Sequence, residues 1–177
     1  FKAEVLEAFV KTLDVKTEII FVENEVYNTT NNIYSLYKAK DYLLEEDTLL
    51  MESDLIFEEE AITQVLDSPY ETLALVAKHE IWMDGTVVTL NDDQDITSFI
   101  SKNEFDYDRV DTYYKTINIY KFSKVFSEKH YVPFLQAYCT AMGNNEYYEQ
   151  VLKVIAHMDE THLKGLVLED VPWYEVD

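Results

Sequence analysis

Apolar positions near the start of the chain recur at helical spacing. Val5, Leu6, Phe9, Val10 and Leu13 share one face and predict a helix over 2–13. The run "TEIIFV" places four β-prone residues in succession, Ile19 to Val22, and predicts a strand over 17–22. Thr30, Asn31 and Asn32 offer caps for a helix over 33–44. A buried strand follows at 49–53. A helix over 58–66 has acids in its first turn, which suits the helix dipole, and stops before Ser68-Pro69. "LALVAK" predicts a strand at 73–78, and Asp84-Gly85 marks a turn into another at 86–90. Asp92 and Asp93 mark a further turn, and "KTINIYKF" predicts a strand at 115–122. Ser123 caps a helix from about 124, and Pro133 suits the first turn of the next. Gly143-Asn144 breaks the chain, Asn145 caps a helix to about 158, and 165–168 is a last short strand. Strands alternating with helices predict an α/β fold: a Rossmann-like, mostly parallel mixed sheet flanked by helices on both faces.

Composition narrows the picture. The 177 residues suit one domain, 1–177, and three Gly with three Pro leave little room for a linker. No apolar run approaches the length of a membrane span. The single cysteine, Cys139, rules out an internal disulfide, fits a cytoplasmic setting and reads as a structural thiol in an apolar run. Fourteen basic against 35 acidic residues give a net charge of −21. Such a surface repels phosphate backbones and anionic membranes, so the expected partners exclude nucleic acid and membrane. It favours a cationic ligand, or a metal carried with its ligand. The four histidines show no metal-ligand spacing, and no GxGxxG or GxxxxGK motif is present.

Glu52, Ser53 and Asp54 stand where the strand over 49–53 leaves the sheet. In open α/β sheets ligands bind beyond the carboxyl ends of the strands. Position alone fits a site equally with a simple turn into the next helix.

Three stretches tip that balance: "TTNNIYSLYKAKDYL" at 29–43, "LLMESDLIFE" at 49–58 and "WYEVD" at 173–177. In this order and spacing they resemble the bacterial choline-phosphate cytidylyltransferases, and more broadly the nucleotidyltransferases of sugar-phosphate type with a GT-A-like fold. The resemblance implies transfer of a cytidylyl group from CTP to phosphocholine, with release of pyrophosphate. It implies Mg²⁺ as cofactor, held by Asp54 and Asp177 as the catalytic and metal-binding pair. Two carboxylates, waters and phosphate oxygens satisfy that ion. Glu52 lies two residues earlier on the same strand face, and joins through water or simply faces solvent.

For the acceptor, the resemblance points to Trp82 in "HEIWMDG" and to "NNEYYEQVL", where Tyr147, Tyr148 and Glu149 form an aromatic pair and an acid. Aromatic faces with a nearby carboxylate suit a quaternary ammonium. One of the two tyrosines is expected in the core, and Trp173 is expected to pack. Asn31, Asn32 and Ser35 are candidate donors to a phosphate, with helix capping an equal reading for Asn32. Asn118 interrupts a strand and needs partners, and the resemblance, which implies a small polar residue there, makes it a site-facing candidate. Lys115 and Lys121 are candidate phosphate contacts.

One departure matters. The family opens with a strand and a Gly-rich phosphate loop carrying an Arg and a Lys. The chain has no such signature, and its single arginine is Arg109. The expectation is therefore an incomplete fold, inactive alone. The alternatives are an acceptor such as 2-aminoethylphosphonate or a sugar phosphate, or a non-catalytic domain of a larger fused protein.

Overall fold

The computed structural model describes residues 2–158 and 162–176. Its spine is β6 (Tyr114–Phe122), which is buried along nearly its whole length. One edge of β6 pairs with β3 (Leu73–Lys78). Its other edge pairs with β1 (Thr48–Met51) near one end and with β4 (Val87–Leu90) near the other. β5 (Ile96–Ile100) extends the sheet beyond β4, and β7 (Lys164–Val167) extends it beyond β3. A separate two-stranded sheet joins β2 (Leu55–Phe57) to β8 (Trp173–Glu175).

Alternation in β6 divides the core. Tyr120 and Phe122 face one layer, with Ile33, Tyr131, Leu135 and Leu152. Ile117 and Ile119 face the other, with Ala61, Val65, Leu73 and Leu75. The helices α2 (Asn32–Lys38), α5 (Val132–Ala141) and α6 (Glu149–Ile155) supply the first layer. The helix α3 (Glu59–Asp67) supplies the second. Burial on both faces explains why β3 reads as a near-continuous apolar run, whereas the buried polar residues of β6, Lys115, Thr116 and Asn118, need partners.

The mixed α/β sheet with helices on both faces agrees with the pattern. The strand directions differ from the expectation. Among the described residues only the β3–β7 strand pair is parallel, and the other strand pairs are antiparallel. The cause lies in the connections. A parallel neighbour needs a long crossover. Here the turn at residues 91–95 folds β4 straight back onto β5, a strand the periodicity did not reveal.

The predicted strand over 17–22 is absent. Those residues form no ladder, and Ile19, Ile20, Phe21 and Val22 are all exposed. Strand preference is realised only against a partner and a buried face, and the described residues supply neither. The amphipathic helix α1 (Ala3–Val10) does form, with none of its residues buried. No described helix is long and apolar enough to cross a membrane.

Candidate functional site

A cleft of about 600 Å³ opens where β1, β4, β6 and β8 approach the start of α6. Its floor is acidic. Glu52 follows β1 and Glu175 ends β8, and Asp54 sits beside them in the exposed turn before β2. Each offers a carboxylate oxygen, and these oxygens lie within 4.8 Å of one another. The β2–β8 pairing brings them together: Leu55 stands opposite Glu175, and the Val176 N–H donates to the Asp54 carbonyl at 2.8 Å. Asp177, the expected partner of Asp54, lies outside the described residues.

Glu175 was not among the expected ligands, yet the signal was present. In "WYEVD" it precedes Asp177 by two, the spacing that puts strand side chains on one face. The same rule joins Glu52 to Asp54. Burial first, then the charges of Asp54 and Glu175, pushes the Glu52 carboxyl above its ordinary value.

Uncharged and cationic donors hold this cluster. Asn32 Nδ2 donates to Glu52 Oε1 at 3.2 Å, and Asn118 Nδ2 reaches Glu52 Oε2 at 3.3 Å and Glu175 Oε1 at 3.1 Å. Lys115, almost wholly buried, pairs with Glu175 Oε2 at 3.2 Å and donates to the Thr116 carbonyl at 2.7 Å. Gly85 makes room for that lysine. Its φ is +96°, and a Cβ there would sit 3.3 Å from Lys115 Nζ. Gly85→Ala is expected to cost about 1–2 kcal/mol for the left-handed backbone, read as a lower urea midpoint.

The start of α6 supplies the far wall. Tyr148 is 3% exposed and packs edge-on against Tyr120 at 5.8 Å, so it belongs to the core. Tyr147 is 56% exposed and lines the cleft. Glu149 also lines the cleft but is only 7% exposed, and its Oε2 has no hydrogen-bond partner. Burial, reinforced by the charge of Glu52, pushes its carboxyl up to about 7. Trp82 is 55% exposed at the cleft mouth, donates from Nε1 to Glu80 at 3.1 Å, and lies 6.1 Å from the Trp173 ring. Trp173 therefore lines the cleft as well as packing.

Other expected residues lie elsewhere. Asn31 caps α2 by accepting from the Asn32 N–H at 2.8 Å. That leaves Asn32 free for the cleft, where its Oδ1 also accepts from the Tyr148 N–H at 3.0 Å. Ser35 accepts from Asn24 outside the cleft. Lys121 donates to the carbonyls of Val65 and Ser68 at the end of α3, so it serves helix capping rather than a phosphate. Cys139 is half-buried, and burial raises its thiol.

The helix-flanked mixed sheet has the fold seen in solved nucleotidyltransferase structures. Its similarities narrow toward cytidylyl transfer. The solved structure of CTP:phosphocholine cytidylyltransferase from Streptococcus pneumoniae superposes with a TM-score of 0.72 at 18% identity, covering 98% of this chain and 68% of that one. The inositol-1-phosphate CTP transferase of T. maritima gives 0.70 at 18% identity, covering 98% and 65%. Among curated proteins, the CMP-5'-(3-aminopropyl)phosphonate synthase of Streptomyces rubellomurinus is 24% identical over 164 residues, 90% of this chain and 26% of that protein. The chain thus spans about a quarter of the curated relative. No family model matches it.

Proposed function

We propose that the chain forms the acceptor side of a Mg²⁺-dependent cytidylyltransferase that uses CTP and a small phosphorylated or phosphonylated primary amine. The observation that carries this reading is Glu149. A buried carboxylate oxygen without a partner is costly, and a bound N–H donor relieves that cost. A primary ammonium supplies such donors; a trimethylammonium has none. The similarity to an aminopropylphosphonate synthase supports the same class.

Glu52, Asp54 and Glu175 would hold the cation. Three carboxylate oxygens at mutual reach form the hard donor set that Mg²⁺ prefers, with places left for water and phosphate. When bound, the ion supplies charge neutralisation to the α-phosphate and the leaving pyrophosphate. The chain's own residues do the positioning. Lys115 holds Glu175 and adds a positive charge at the cleft floor. Asn32 ties Glu52 to the start of α6, and so the acidic floor to the acceptor wall.

Phosphocholine is the second reading. The aromatic lining of the cleft by Trp82, Trp173 and Tyr147 favours it, because ring faces attract a quaternary ammonium.

The test uses the full-length gene product with CTP, Mg²⁺ and one acceptor at a time: 2-aminoethylphosphonate, 3-aminopropylphosphonate or phosphocholine. Pyrophosphate release should be at least about tenfold more efficient with a primary amine, as sites built around a hydrogen-bond donor reject analogues lacking it. Equal or better use of phosphocholine would overturn the acceptor assignment. No release with any acceptor would favour a different phosphorylated acceptor or a non-catalytic domain.

A further inference from the structure

The backbone of β6 turns left-handed at a single residue. Asn118 has a φ of 59° in the middle of a nine-residue strand. The register slips around it: Ala74 faces Tyr120, whereas Val76 faces Thr116. Four steps along β6 therefore match two along β3, and Asn118 rides in the bulge. Bulges re-aim side chains, and strained backbone persists where its surroundings hold it in place.

What the bulge aims is the Asn118 amide. Its Nδ2 lies between Glu52 Oε2 and Glu175 Oε1, with one N–H for each carboxylate. Those carboxylates come from different sheets, and like charges so close repel. The Thr116 hydroxyl sits 3.1 Å from both Asn118 Oδ1 and the Thr86 carbonyl, and with its one hydrogen on Oδ1 it holds the amide nitrogen toward the acids. Asn32 and Lys115 hold the two remaining oxygens.

We propose that Asn118 is a positioning residue for the metal site. Its amide, presented by the left-handed bulge, sets Glu52 and Glu175 at the spacing that a divalent cation shares with Asp54. The choice of an amide is chemically specific. A second lysine there, beside Lys115, would neutralise the remaining negative charge and compete with the cation, and an aspartate would add to the repulsion. An amide aligns both carboxylates without changing the charge. The inference rests on the metal-dependent reading above.

The test is Mn²⁺ titration of the full-length gene product, with free Mn²⁺ followed by electron paramagnetic resonance. Asn118→Gly keeps access to the left-handed backbone and removes the amide. It should fold, by circular dichroism, and bind Mn²⁺ about 10–100-fold more weakly, the usual loss when a ligand's supporting hydrogen bond is removed. Turnover at saturating metal should fall less than metal affinity does. Thr116→Val, which frees the amide to rotate, should weaken Mn²⁺ in the same direction. Affinity within about twofold of wild type in both variants would overturn the inference. If Asn118→Gly fails to fold, Thr116→Val decides on the same criterion. A wild-type protein that binds no Mn²⁺ would overturn the metal reading itself, a different failure from bound metal indifferent to Asn118.

Discussion

Asp54→Ala is expected to lower cytidylyl transfer by about three orders of magnitude, the several kcal/mol that a bound metal contributes at a developing phosphate charge. The fold should barely notice. Asp54 is exposed in a turn, and changes at such positions usually stay within about 0.5 kcal/mol. The variant therefore separates chemistry from stability. It also removes one of the charges that push Glu52 upward, so the Glu52 carboxyl should move back toward its ordinary value. Pyrophosphate release measured across a Mg²⁺ series, beside a urea melt, checks both halves. Retention of a tenth or more of the activity, by rough count about 1.4 kcal/mol or less of lost stabilisation, would remove Asp54 from the metal site.

Glu149→Gln is expected to stabilise the protein at pH 8 and to leave it unchanged near pH 4. Burial pushes the folded carboxyl up to about 7 from its ordinary 4.5. Between those values the native state holds a proton that the unfolded chain has released. Wild-type stability therefore falls as pH rises through that window and stays lower above it. At 1.36 kcal/mol per pH unit the loss is on the order of 3 kcal/mol. Glutamine has nearly the same size and cannot ionise, so the variant escapes the loss. Urea unfolding at pH 4, 6 and 8 should show the two proteins diverging as pH rises. Parallel curves would mean that Glu149 is not burdened by burial. The same substitution should raise the KM for an amine acceptor, because a neutral amide cannot balance an ammonium. Stability and recognition thus pull in opposite directions at one side chain, as expected where a site keeps a costly group for its ligand.

Much of the architecture was readable in the sequence, for physical reasons that differ by element. The strand β3 was visible because both faces are buried, which makes its apolar run nearly unbroken, and β6 because the β-prone Ile117, Ile119, Tyr120 and Phe122 recur along it. The strand β5 was not, because Thr97 and Ser98 interrupt its apolar residues on a half-solvated surface. Strand direction lies in the connections, and the tight turn after β4 decided it. The run over 17–22 misled because propensity names a preference and not a partner.

The site divides in the same way. Trp82, Tyr147, Glu149, Asn32, Asn118 and Lys115 line the cleft and Asp54 lies beside its acidic floor, whereas Asn31 and Ser35 do not line it. Spacing could place two adjacent tyrosines near the site but not say which would turn inward. Tyr148 did, because it meets Tyr120 across the layer that α6 shares with β6.

The exposed run Ile19 to Val22 has a colloidal consequence. Four β-prone residues without a partner are a template for pairing between molecules. What holds copies apart is charge, −21 at neutral pH, acting over roughly a Debye length of 8–10 Å at ordinary salt. That repulsion disappears as pH approaches the isoelectric point near 4.3, and salt shortens its reach. The same acidity opposes association between copies of this chain.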